Sequence, residues 1–269
     1  MANRRSVRPE VVVAGDPGRA SHIAGMLMRQ DVPVASYVPD YAGGGSGLGI
    51  GALASSARVI VETLDYPVDA KRALLEEIAE AMRPGTLLIS SALAMTAVEI
   101  SITLGGYSRL VAFGLLDTEA PHRMLELAVP SETASDVLSQ ASEFWAGLGY
   151  RSRTVADTPA MTTPRIVCCI VNEAAWALGE GVASPEDIDT AMRLGARHPE
   201  GPLRRGDRIG LHRVAAVLQN LEDYYGEERY RPAPELRRLI LTGRMGVEYG
   251  SGFYDYTASV ADHNGDVTS

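Results

Sequence analysis

Four residues of buried-strand type, Val11-Val12-Val13-Ala14, run into Gly15 and then into Asp16-Pro17-Gly18-Arg19-Ala20. No other stretch constrains the fold more tightly. A short apolar run closed by glycine reads as a strand entering a tight turn. Between residues 19 and 29, Ile23, Met26 and Leu27 recur at helical spacing, and residues 33–38 read as a second strand. Strand, turn, helix and strand in that order open a βαβ unit.

The pattern continues along the first half. Residues 58–64 read as a buried strand, 70–82 as an amphipathic helix, and 86–90, 110–115, 124–129 and 150–155 as further strands. Between them, residues 41–56 form a loop rich in glycine, serine and alanine. Its Gly47-x-Gly49-x-x-Ala52 spacing has no leading strand to aim backbone amides at a phosphate, so it is read as loop alone. From Thr163 the strand signals stop, and helical periodicity takes over at 165–180, 186–194, 211–225 and 234–242. Ser184 is placed to cap a helix with Pro185 in its first position. The expected fold class is α/β: a Rossmann-like, mostly parallel sheet domain over residues 1–160, an all-helical domain over 161–256 and a tail over 257–269.

Composition narrows the partners. With 269 residues, 46% hydrophobic and 22% charged, the chain can bury a core divided between two domains. A net charge of -9 without a basic stripe argues against nucleic acid. The apolar run after the N-terminal arginines is too short for a signal peptide, and no stretch is long and apolar enough to cross a membrane. A cytoplasmic protein binding small molecules or protein is expected. Cys168 and Cys169 are adjacent and point about 100° apart on a helix, which suits core packing better than a disulfide or metal pair. Among 25 basic residues the sole lysine is Lys71, in a chain that otherwise uses arginine.

The second half resembles the C-terminal domain of the 3-hydroxyacyl-CoA dehydrogenases. The resemblance rests on Val171-Asn172-Glu173-Ala174, Glu180-Gly181-Val182-Ala183, Glu186-Asp187-Ile188-Asp189, Gly201-Pro202-Leu203, Asp207, Ile209-Gly210-Leu211 and Gly250-Ser251-Gly252-Phe253-Tyr254. It implies a helical domain that forms a homodimer and closes one side of the active cleft. Glu248-Tyr249 stands where the family has Lys-Thr.

Residues 57–128 resemble the family's first domain without a gap. The resemblance implies NAD(P) as cofactor, with Gly15 and Gly18 in the phosphate turn and Glu62 and Lys71 as cofactor-side residues. It also implies an acyl thioester substrate, carried by CoA or by a carrier protein. The turn departs from the family's Gly-x-Gly-x-x-Gly, since its three positions hold Gly15, Pro17 and Ala20; proline has no N–H to offer a pyrophosphate. Val38 stands at the ribose-binding acidic position, with Asp40 two residues later, and a helical hairpin that contributes to CoA binding is missing.

The catalytic positions depart as well. Gly114 replaces the family's histidine, Leu93 falls in the segment of its serine, and Pro164 falls on its asparagine. Glu126 survives as the glutamate that orients the histidine. A carboxylate in the apolar strand Met124-Leu125-Glu126-Leu127 either meets a cation, for instance Arg165, or faces the cleft, where it suits a general acid or base. Asp117 and His122 are candidate helpers, although His122 lies about 13 Å from Glu126 if the segment is extended. Ser90 and Ser91 end a strand where α/β sheets bind ligands. His198 and His212 read as structural. Three functions stay open: non-redox proton transfer on a 3-oxoacyl or 3-hydroxyacyl thioester through Glu126, a dehydrogenase with a rewired proton donor, and a non-catalytic binding or partner subunit.

Overall fold

In the computed structural model, which describes residues 9–39, 49–118 and 123–257, one sheet organises the first half of the chain. Its strands are β1 (Val11–Ala14), β2 (Val34–Tyr37), β3 (Val59–Glu62), β4 (Leu87–Ser91), β5 (Leu110–Gly114), β6 (Met124–Ala128) and β7 (Arg151–Thr154), in the spatial order β2-β1-β3-β4-β5-β6-β7. The first five pair in parallel. β6 runs antiparallel to β5, and β7 parallel to β6. The chain leaves β1 for β2 on one side and returns to β3 on the other. That reversal places the sheet's ligand-binding crevice at the C-terminal ends of β1 and β3.

Side chains alternate across each strand, so the sheet has two apolar faces. Val13, Val61, Ile89, Val111, Phe113, Leu125 and Leu127 pack with α1 (Pro17–Met28) and α5 (Val137–Gly147). Val12, Ile60, Leu88, Ala112 and Ala128 pack with α2 (Ile50–Ala54), α3 (Val68–Ala81) and α4 (Ala97–Thr103) on the other. Local periodicity indicates α1 and α3 and leaves α2, α4 and α5 unread. α2 is short and lies inside the glycine-rich stretch. α4 continues an apolar run and owes its start to a reciprocal cap between Thr96 and Glu99.

Contacts divide the chain between Met161 and Thr162. Beyond that point come α6 (Thr163–Gly179), α7 (Pro185–Gly195), α8 (Pro202–Ile209), α9 (Leu211–Tyr225) and α10 (Pro234–Leu241). Ser184 accepts the Asp187 N–H and Pro185 begins α7, as the sequence predicts. Two buried carboxylates tie this unit together. Asp189 of α7 accepts the N–H groups of Leu203 at 2.8 Å and Arg204 at 3.0 Å, closing the start of α8, and also the Tyr254 hydroxyl at 2.8 Å. Asp207 of α8 accepts N–H groups from Phe253 at 2.8 Å and Tyr254 at 3.0 Å. Burial raises the Asp207 carboxyl above its ordinary range, against the pull of those bonds.

Cys168 is buried, with its thiol raised by burial, and Cys169 is half-buried; both are free. Among the described residues no helix is long and apolar enough to cross a membrane, and no group of acids, histidines and cysteines is placed to hold a metal.

A Cβ on Gly252 would stand 1.9 Å from Asp207 Oδ1. Gly252→Ala is therefore expected to destabilise the helical unit by about 3 kcal/mol, the upper end for overpacking. Urea unfolding followed by circular dichroism checks this, and an unchanged midpoint would refute it.

Candidate functional site

The crevice between β1 and β3 is built by the turn that the sequence marks out. Gly15 leaves β1 at φ +121°, and a Cβ there would meet Leu64 N at 2.6 Å, so only glycine lets the chain pass this close to the end of β3. The Asp16 N–H donates to Thr63 Oγ1 at 3.0 Å, and that hydroxyl donates to the Ala14 carbonyl at 3.0 Å. Asp16 is the N-cap of α1, its carboxylate accepting the Arg19 N–H at 3.0 Å. Pro17 holds the first helical position and supplies no N–H, and Gly18 is exposed within the first turn. A helix N-terminus attracts anions, and here an internal carboxylate has taken the place.

Arg19 is one residue further on and is only 3% exposed. Its guanidinium crosses the C-terminal edge of the sheet. Nη2 donates to the Thr63 carbonyl and to Asp65, while Nη1 reaches Ser91 Oγ and the Leu115 carbonyl, each at 3.4 Å. Ser91 also donates to Asp65 Oδ2 at 3.0 Å, and Asp65 is 1% exposed. One cation thus joins the end of β4 to the segments that follow β3 and β5.

A second cation closes the same edge from the other face. Glu62 and Ser90 are register partners at the ends of β3 and β4. Lys71, from α3, donates to Glu62, to the Leu64 carbonyl at 2.8 Å and to Ser90 Oγ at 3.3 Å. Ser90 donates to Glu62 Oε2 at 2.5 Å, and the Leu64 N–H donates to Oε1 at 2.5 Å. Lys71 and Glu62 are wholly buried. The ammonium has three protons, and all three are directed to partners inside the chain. Burial raises the Glu62 carboxyl above its ordinary value, outweighing the attraction of Lys71 and the bonds from Lys71 and Ser90.

Glu126 lies in β6 directly opposite Gly114 of β5, at 8% exposure. The register thus places it beside the position where the family resemblance puts a histidine. Asp117 is half-buried just past β5. His122 and Asp40 lie outside the described residues. Val38 is exposed after β2, and Leu93 is buried in the core. Arg165, in the helical unit, bonds the hydroxyls of Tyr225 at 3.1 Å and Tyr230 and stacks on both rings. His212 is buried and His198 half-buried.

Arg19, Thr63 and Asp65 are the members of this edge that sequence reasoning misses. A single arginine in a turn carries no periodic signal, and its acid is 46 positions away. The Asp16-Pro17 pair, a cap followed by a first helical residue, is a local helix-start pattern that sequence reasoning leaves unread.

Comparison with known proteins adds to this geometry. The model of the 3-hydroxyacyl-CoA dehydrogenase C-terminal domain matches residues 161–256. A probable 3-hydroxybutyryl-CoA dehydrogenase of Bacillus subtilis is 31% identical over 207 residues, covering 76% of this chain and 71% of that protein. The 3-hydroxyadipyl-CoA dehydrogenase of Escherichia coli is 53% identical over 87 residues, 32% of this chain and 18% of that protein. The crystal structure of (S)-3-hydroxybutyryl-CoA dehydrogenase from Ralstonia eutropha shares the fold, with a TM-score of 0.73 over 93% of this chain and 99% of that one at 24% identity.

Removing one partner of the buried Lys71–Glu62 pair strands the other charge. Lys71→Met is expected to cost about 3–5 kcal/mol, and Lys71→Met combined with Glu62→Leu to recover most of that loss. Urea denaturation of the single and double variants measures the coupling; additive losses would show that the two groups act independently.

Proposed function

The chain belongs to the 3-hydroxyacyl-CoA dehydrogenase family, and from that premise we propose that it acts on a 3-hydroxyacyl or 3-oxoacyl thioester without transferring a hydride. The observation that carries this reading is the closed crevice. A dinucleotide's pyrophosphate does not fit the residues present: Pro17 offers no N–H, the Asp16 carboxylate caps the helix that would receive the anion, and Arg19 fills the strand ends beyond. An arriving phosphate would meet a like charge at the helix N-terminus. Lys71 and Glu62 spend their hydrogen bonds on each other and on β3–β4.

Glu126 is the group assigned to proton transfer. It stands opposite Gly114, the position where the family resemblance puts a histidine. In a 3-hydroxyacyl or 3-oxoacyl thioester the acidic carbon is C2, next to the thioester carbonyl. Glu126 takes the C2 proton to form the enolate and returns it, with Asp117 as the neighbouring polar group past β5. The similarity to a probable 3-hydroxybutyryl-CoA dehydrogenase and a 3-hydroxyadipyl-CoA dehydrogenase supports an acyl-CoA as the substrate class. The helical unit supports a homodimer through its resemblance to the family's dimer-forming domain.

Two measurements test the reading. Fluorescence titration with NADH and NADPH is expected to show no binding below millimolar, and binding at micromolar concentration would return the protein to hydride chemistry. Deuterium exchange at C2 of 3-hydroxybutyryl-CoA is expected to fall about 100-fold in Glu126→Gln, within the range for loss of a general acid or base. Undiminished exchange in that variant would remove Glu126 from the mechanism.

A further inference from the structure

We propose that Arg19 is a tethered substitute for a bound cofactor: its guanidinium fills the crevice and holds the ends of β3, β4 and β5 in the arrangement that a ligand would otherwise impose. The proposal rests on the reading that no dinucleotide enters this crevice, and it adds what does the ordering instead.

Three observations converge. Arg19 leaves the turn after β1 and reaches the end of β3, so it spans the switch point of an open sheet, where ligands bind, and runs on to the ends of β4 and β5. The contacts go to groups at or just past the last rungs of the ladder: the Thr63 carbonyl after β3, Ser91 at the last rung of β4, and the Leu115 carbonyl after β5. The charge is balanced on the spot by Asp65, which also takes the Ser91 hydroxyl. A planar guanidinium with several fixed donors can serve a carboxylate, a hydroxyl and two carbonyls together, as a lysine or an apolar side chain cannot. Leu115 adjoins Gly114, the register partner of Glu126, and lies two residues before Asp117. Arg19 is therefore a positioning residue for the segment that carries the proposed chemistry, and that segment is ordered before any substrate arrives.

Hydrogen exchange read by mass spectrometry tests this on the full-length protein. In Arg19→Ala, amides in residues 63–66 and 113–117 are expected to exchange about tenfold faster, with β7 unchanged, as local opening without global unfolding requires. Millimolar methylguanidinium should restore protection in Arg19→Ala, whereas equal sodium chloride and the Arg19→Lys substitution should not. Arg19→Ala/Asp65→Ala leaves no stranded carboxylate, so it reports on the same segments if the single variant fails to fold; it should be loosened and not rescued. Unchanged exchange in either variant, or absence of rescue in folded Arg19→Ala, overturns the proposal. Protection of the wild type by NADH would overturn this proposal and the hydride-free reading together. A Glu126→Gln variant with full activity would leave the Arg19 result standing.

Discussion

Taking an ion out of water costs several kcal/mol even after the surroundings relax, so a buried cation has to find its anion and its remaining acceptors within reach. Lys71 meets that condition with all three of its protons, and Arg19 meets it through both Nη atoms while its Nε stays buried without a partner. Lys71 arrives from α3 on one face and Arg19 from α1 on the other, and both close on the neighbouring ends of β3 and β4. The arrangement depends on the parallel register of those strands. It pairs Glu62 with Ser90 on the α3 side and sets Ser91, with Asp65 beyond it, toward α1. Each cation belongs to the helix that covers its own face, so helix packing and charge pairing impose the same geometry.

The same electrostatic rule that makes a helix N-terminus a phosphate site explains why an aspartate caps this one. Unpaired amides at the start of a helix favour negative charge, and the Asp16 carboxylate supplies it from inside the chain. The side chain of the residue whose amide Asp16 accepts then runs inward as a buried cation. Cap and cation together link the turn after β1 to the end of β3 from within the chain. The sheet beyond it keeps its architecture, with Glu126 facing Gly114 across an antiparallel pair.

The helical unit uses buried carboxylates for a different end. Asp189 and Asp207 accept backbone N–H groups from segments distant in sequence, and the glycines around them let those segments approach. These are among the residues that carry the family resemblance, and their work is structural. A domain held together in this way keeps its sequence pattern for structural reasons. This accounts for a resemblance that is strong in Gly201-Pro202-Leu203 and Gly252-Phe253-Tyr254.

Much of this was legible in the sequence alone. Short apolar runs and helical spacing define the strands and long helices, the change of pattern near residue 160 separates the halves, and Ser184-Pro185 marks a helix start, because each depends on neighbours a few positions apart. Lys71 stood out as the lone lysine, and Pro17 as a residue that withholds an amide. What the sequence did not determine is which charges meet. The direction of β6, the pairing of Lys71 with Glu62 and the reach of Arg19 to Asp65 exist only once the sheet has brought separate strand ends together. Local patterns encode the elements, and the partners of a buried charge are chosen by the three-dimensional edge on which it arrives.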